Sequence, residues 1–250
     1  MARVAVVTGG IGGLGTAMCK ALAEQGRQPV AVDYNGLPAE VVDKWKAARK
    51  AEGLDIPVYL ADVTSFESCA ETCKKIEAEV GPIEILVNNA GITRDAMFHK
   101  MTPDQWNAVI NTNLNSIFNM TKQVYGGMTE RGWGRIVNIS SVNGIKGQAG
   151  QTNYSATKAA VYGFTKSLAQ ECAKKGVTVN SISPGYVLSD MTRQLTDREP
   201  ELRQNWVSRI PQGRMAEPQD LEGLALFLAS DSSSYLTGQE IIIDGGYCAV

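Results

Sequence analysis

Tyr154 and Lys158 stand four residues apart in the stretch TNYSATKAA. On a helix that spacing stacks the two side chains on one face. A phenol with an unperturbed pKa of about 10 exchanges protons poorly near neutrality. A neighbouring ammonium favours phenolate and lowers that value, which would make Tyr154 a usable general acid/base. Ser141 follows the short apolar run GRIVNIS (134–140), where its hydroxyl could hydrogen-bond a substrate carbonyl. A Tyr–Lys pair taken alone is also ordinary surface decoration, so its meaning depends on the elements around it.

A second group of residues could hold an anion. The first apolar run ends in TGGIGGLG (8–15), with Gly9, Gly13, Leu14 and Gly15 at a turn from strand into helix. Backbone amides are free at such a turn, the helix dipole favours negative charge, and absent side chains admit a pyrophosphate. Any tight strand–helix turn also wants glycine, so the cluster needs a partner. Asp33 supplies one: it lies 18 residues beyond Gly15, at the end of the next apolar run, in VAVDYN. There an acid can accept hydrogen bonds from an adenosine ribose. A carboxylate at that point repels a 2′-phosphate. No Arg or Lys stands at Gly10, Ile11, Tyr34, Asn35 or Gly36, and the next lysine is Lys44. The expected cofactor is therefore NAD(H), preferred over NADP(H). The positive ring of the oxidised form would further favour the Tyr154 phenolate.

The elements that must position these residues alternate in period. β-Branched runs fall at 3–7, 28–32, 56–60, 83–87, 134–140, 177–183 and 240–244, with helical segments at 13–25, 38–52, 65–80, 102–131, 152–175 and 218–230. Such alternation predicts an α/β fold: a Rossmann-type, doubly wound parallel sheet of about seven strands in a single domain, 1–250. Residues 186–216 break the rhythm between the sixth and seventh strands. This stretch is polar apart from Leu195, Leu202, Trp206, Ile210 and a few others. A connection this long is usually functional, and one or two short helices forming a substrate lid are expected.

Composition removes several classes. The formal charge of −2 gives no basic excess for a nucleic-acid backbone. No run of 18 apolar residues suggests a membrane span. The N-terminal MARVAVVTGG lacks the features of a secretory signal, so a cytoplasmic protein is expected, and sequons at Asn119, Asn138 and Asn153 carry no weight. Five scattered cysteines and one histidine, His99, leave too few ligands for a metal site and read as free thiols.

TGGIGGLG (8–15), NNAG (88–91), Asn113 in NTNL, Ser141, Tyr154-x-x-x-Lys158 and Pro184-Gly185 occur in one order. Together they resemble the classical short-chain dehydrogenase/reductases over the whole chain. The resemblance implies that Tyr154 is the general acid/base, Ser141 orients the carbonyl, and Lys158 binds the nicotinamide ribose and tunes Tyr154. It implies that Asn113 holds a water for proton relay, that Asp62 and Val63 flank the adenine, and that Asn89, Ala90 and Gly91 line the inner ribose. Pro184, Gly185 and Ser189 would meet the nicotinamide end, with Ser189 where the family often has Thr. A homotetramer is the usual family assembly.

Within the family, NNAGITRD (88–95), FHKMT (98–102), RGWGRIVNISSVNG (131–144), KGQ-x-GQTNYS (146–155) and TVNSISPGY (178–186) are similar to bacterial acetoacetyl-CoA reductases of polyhydroxybutyrate synthesis. That similarity implies an acyl-CoA substrate met by Gln148, Gln151 and Tyr186, with Ala149 where the group often has an aromatic residue. Many of the group prefer NADPH, so Asp33 is a departure. A 3-oxoacyl-(acyl-carrier-protein) reductase is the alternative, with Arg131, Arg135, Lys174 and Lys175 as its docking patch. A non-enzymatic NAD(H) sensor is a third reading, disfavoured because Ser141, Tyr154 and Lys158 are all present.

Overall fold

The computed structural model describes residues 2–249, apart from the side chains of Asp190, Met191, Gln194, Leu195 and Pro200. Seven strands form one parallel sheet: β1 (Val4–Thr8), β2 (Gln28–Asp33), β3 (Val58–Leu60), β4 (Ile83–Asn88), β5 (Gly134–Ile139), β6 (Val177–Pro184) and β7 (Glu240–Ile243). Their order is β3-β2-β1-β4-β5-β6-β7. The order reverses between β1 and β4, and in open α/β sheets ligands bind outside the carboxyl ends of the strands at that point.

Both faces are covered, as an all-parallel sheet requires. Val4, Val6, Val30, Val32, Leu86 and Ile136 face α3 (Phe66–Glu79), α5 (Ser116–Arg131) and α7 (Thr152–Cys172). Ala5, Val7, Ala31, Ile85 and Val137 face α1 (Gly13–Glu24), α2 (Ala39–Ala51) and α10 (Glu222–Leu228). The alternation of the two sets along β1 and β2 is the period of two made visible, and it is broken once, at the start of β4, where the register with β1 shifts between Val4 and Ala5. The expected doubly wound sheet is the observed one, with strand ends shifted by a residue or two.

One expected helix, 102–131, is not uniform. It runs as α4 (Pro103–Ile110), a single π turn (Asn111–Asn115) and then α5. Thr102 starts it with a capping box to Gln105. π turns inside helices collect at functional sites, and this one is centred on Asn113.

Residues 186–216 form α8 (Asp190–Arg198) and α9 (Pro200–Ser208), and the segment's ends meet in a bridge between Val187 and Ala216. Trp206, Val207 and Ile210 pack with Val142, Leu188, Met215 and Tyr247 in a small third core beneath these helices. Leu195, expected among them, lies outside the described side chains. The sequon residues Asn119, Asn138 and Asn153 are buried. All five cysteines are free, and burial pushes the Cys19, Cys69 and Cys73 thiols up to about 12. Among the described residues there is no metal-ligating cluster and no helix long and apolar enough to cross a membrane.

Candidate active site

The glycine turn is shaped by backbone crowding. A Cβ on Gly15 would lie 2.0 Å from the Gly9 carbonyl oxygen, and one on Gly10 would lie 2.7 Å from the Ala31 Cβ. Gly9 has φ of +63°, which an L side chain rarely adopts. The turn therefore folds tightly onto β1 and β2 and presents the start of α1, where no side chain caps the helix. Asp33 closes one flank. Its Oδ2 accepts the Ile11 amide at 2.9 Å and its Oδ1 the Tyr34 amide at 2.8 Å. The carboxylate is thus fixed against the glycine turn. A pyrophosphate fits a turn that has no side chains in the way, and a ribose diol fits the acid.

At the switch point Thr8 ties β1 to β4. Its hydroxyl accepts the amides of Asn89 and Ala90, both at 3.0 Å, while the Asn89 amide group donates to the carbonyls of Thr8 and Gly9. Asp62 turns its Oδ1 to Thr64 after β3, and the Val63 carbonyl accepts from Asn119 at 3.0 Å. Gly91 follows; a Cβ there would approach Asn113 Oδ1 to 3.5 Å and Lys158 Nζ to 3.8 Å. Asn113 is clamped to Ile92 by a reciprocal pair, accepting its amide at 2.8 Å and donating to its carbonyl at 2.9 Å. The candidate cofactor residues from Gly9 to Gly91 thus line one edge, with Asn113 and Lys158 beside it.

Lys158 is buried and donates to the Ile139 carbonyl at 2.7 Å. Burial brings its pKa down to about 8. Its ammonium lies 5.5 Å from the centroid of the Tyr154 ring. The phenol differs from expectation: burial raises its pKa, the hydrogen bond with Ser141 opposes this, and Asp95 raises it further. The lowering expected from Lys158 is not among these causes: the phenol is desolvated and the ammonium donates to the Ile139 carbonyl. Ser141, Tyr154 and Lys158 are nevertheless brought together at the end of β5 and the start of α7.

Gln148 and Gln151 share one donor. Asn143 Nδ2 lies 2.9 Å from Gln148 Oε1 and 2.8 Å from Gln151 Oε1, and Gln151 Nε2 donates to Asp95 Oδ2 at 2.8 Å. Asn143 opens the one-turn helix α6 (Asn143–Lys146), and its amide donates to Ser141 Oγ at 3.2 Å. Asn143 and Asp95 were not singled out in the sequence; the only signal was their place inside the strings SSVNG and ITRD. Tyr186 stacks on Trp206 at 4.6 Å and meets the Tyr247 hydroxyl at 3.4 Å. Pro184 ends β6 and Gly185 follows it, with the Pro184 carbonyl accepting from Val142 at 3.1 Å. Ser189 pairs its hydroxyl with that of Thr192 at 3.2 Å.

Of the four cations expected to form a docking patch, Arg135 is withdrawn from the surface, while Arg131, Lys174 and Lys175 are exposed. Arg135 is buried and its guanidinium donates to the carbonyls of Ser230, Gly134 and Gly176. Arg131 donates to the Ile83 carbonyl at the start of β4, at the sheet edge opposite the glycine turn. The Arg135 guanidinium, spent on internal carbonyls, is unavailable to a partner, and spacing in the sequence cannot reveal that burial.

A glycine turn at the sheet's switch point, an acid at the end of β2 and a buried Ser–Tyr–Lys group define a Rossmann-type oxidoreductase. A family model described as enoyl-(acyl carrier protein) reductase matches residues 9–248. The chain belongs to the short-chain dehydrogenase/reductase family. It is 55% identical to an acetoacetyl-CoA reductase of Allochromatium vinosum over 98% of both chains, and 53% identical to one of Shinella zoogloeoides over the same shares. It is 42% identical to a 3-oxoacyl-(acyl-carrier-protein) reductase of Vibrio harveyi, over 98% of this chain and 96% of that one. A gluconate 5-dehydrogenase of Burkholderia cenocepacia, solved in complex with NADP and tartrate, superposes with a TM-score of 0.91 at 34% identity, over 99% of this chain and 96% of the other.

Proposed function

We propose that the protein is an acetoacetyl-CoA reductase that draws on NADH and yields the (R)-3-hydroxyacyl thioester. The observation that carries this reading is the meeting of Ser141, Tyr154 and Lys158 beside the amide group of Asn143, Gln148 and Gln151. When bound, the nicotinamide cofactor supplies the hydride. Ser141 holds the keto oxygen in place. Tyr154, kept protonated by burial, gives its proton to the oxygen as negative charge develops there. Lys158 holds the ribose beside it and maintains positive charge near the phenol, and Asn113 keeps a water in line for reprotonation. Gln148, Gln151 and Tyr186 offer neutral polar groups that suit a thioester without burying charge.

Asp33 is the basis for NADH over NADPH. Fixed by two backbone amides, it cannot swing aside for a 2′-phosphate without breaking both hydrogen bonds. Gly9, Gly13, Leu14 and Gly15 receive the pyrophosphate, Asp62 and Val63 the adenine, Asn89, Ala90 and Gly91 the inner ribose, and Pro184, Gly185 and Ser189 the carboxamide end. Helices α8 and α9 act as the lid. The working form is a homotetramer in the cytoplasm, as family habit suggests.

The buried state of Arg135 weighs against the carrier-protein alternative. Rates of NADH oxidation with acetoacetyl-CoA and with a carrier-linked 3-oxoacyl substrate, each repeated with NADPH, test the reading. The CoA ester with NADH should give the largest kcat/KM of the four. A larger value with the carrier-linked substrate would replace the reading by its alternative.

A further inference from the structure

A cavity lies beside α9, outside the Ser–Tyr–Lys group. It encloses about 370 Å³ and is lined by Lys146, Ser208, Arg209, Pro211 and Tyr247. Three separate elements build it: Lys146 ends α6, Ser208 ends α9, and Tyr247 comes from the segment after β7. The Lys146 ammonium stands 3.5 Å above the Tyr247 ring. Lys146 and Arg209 both lie near enough to the Tyr247 hydroxyl to lower its pKa, and the tyrosine is only 6% exposed. Among the described residues neither cation has a carboxylate partner. The nearby carboxylate of Asp244 is turned away, accepting the amides of Gly246 and Cys248 at 2.9 and 2.7 Å. The cavity therefore holds two unneutralised cations and a phenol facing one space.

The cavity is joined to the candidate catalytic group. Tyr247 meets Tyr186 through their hydroxyls, and Val142, next to Ser141, packs in the same small core. Lys146 is five residues from Ser141, a chain reach of at most about 18 Å, shortened by the turn of α6. A substrate whose reacting carbonyl lies at Ser141 and whose arm runs past Tyr186 would bring its far end here.

We propose that this cavity seats the phosphate groups of the CoA nucleotide, with Lys146 and Arg209 as paired phosphate ligands and the Tyr247 hydroxyl between them. The proposal rests on the reading of the substrate as a CoA thioester. Phosphate oxygens match the donors on offer: an ammonium as a point charge and a guanidinium fork. Burial works against ionisation of Tyr247, but Tyr186, Lys146 and Arg209 together lower its pKa, as expected where positive potential is concentrated. The site would favour CoA esters over thioesters on shorter arms by holding the phosphates.

The test compares acetoacetyl-CoA with acetoacetyl-pantetheine, which lacks the phosphates and nucleotide, in the wild type and in the double variant Lys146→Gln/Arg209→Gln. The ratio of kcat/KM for the two esters should fall about tenfold in the double variant, through KM for the CoA ester. Lys146→Gln alone, at an exposed helix end, should give roughly a threefold fall and guards against misfolding of the double variant. Calorimetric binding of free coenzyme A should weaken by the same factors. An unchanged ratio, or equal losses on both esters, with coenzyme A binding unaltered, overturns the site. A wild type that reduces neither thioester overturns the functional reading alone; the coenzyme A titrations then decide the cavity by themselves.

Discussion

At the scale of single residues, the proposed chemistry rests on two ionisations, and burial moves them in opposite directions. Burial raises the Tyr154 phenol and lowers the Lys158 ammonium to about 8. The proposed reduction needs the proton on Tyr154 and the charge on Lys158. The phenol keeps its proton through neutrality, so Lys158 sets the alkaline limit. The kcat/KM for carbonyl reduction should be level near pH 7 and fall as pH rises through about 8. A profile level to pH 10 would sink this role for Lys158. The same shift has a sign for stability. Between about 8 and the ordinary 10.5, the unfolded chain binds a proton that the folded chain does not, so this residue's contribution to stability rises with pH across that window. Asp33 makes the other residue-scale prediction. Replacing Asp33 with Gly and Tyr34 with Arg removes the repelling charge and adds an attracting one. The NADH-to-NADPH ratio of kcat/KM should drop at least about tenfold, or about 1.4 kcal/mol. A wild type that already favours NADPH overturns the assignment of Asp33.

At the scale of elements, placement depends on close approach of backbones. A Cβ on Gly144 would lie 2.7 Å from the Lys158 carbonyl carbon and the Ala159 nitrogen. Helix α6 therefore rests directly on α7, and Asn143 reaches Gln148 and Gln151 from that seat. Gly144→Ala should push α6 outward. It should cost about 1–3 kcal/mol of stability and lower kcat by more than it changes the affinity for NADH, as read by thermal unfolding and steady-state rates. Wild-type kcat in a well-folded variant would dissociate α6 from catalysis. This contact also marks the limit of legibility in the sequence. The strands, the turn and the Tyr154–Lys158 spacing follow from local pattern, because period and glycine placement are properties of neighbouring residues. The Asn143 group, the Arg135 burial and the phenol's raised pKa depend on which surfaces meet, and that is decided over tens of residues. The π turn at Asn113 sits between: its sequence reads as helix, and only the wider backbone hydrogen bonding of Asn111–Asn115 shows that one extra residue has been accommodated.

At the scale of the whole molecule, the proposed tetramer has to account for apolar surface left on two different flanks. Strand β7 is a sheet edge, and Ile242 on it is 44% exposed. On the flank of α3 and α5, Phe66 and Phe118 stack at 6.0 Å with Phe118 52% exposed. An open edge strand invites pairing unless it is covered. A tetramer with three two-fold axes uses more than one isologous interface, each self-complementary, and two separated patches provide for that where one patch would give only a dimer. The expectation is therefore stepwise. Wild-type protein should have four times the chain mass by light scattering after gel filtration. Ile242→Asp and Phe118→Asp should each yield dimers, by breaking different interfaces, and the double variant should yield monomers. Because neither side chain touches the Ser–Tyr–Lys group, each dimer should retain NADH binding. A wild-type monomer, or single variants that both remain tetramers, would mean that these patches are covered in some other way and that assembly does not proceed through the β7 edge and α5.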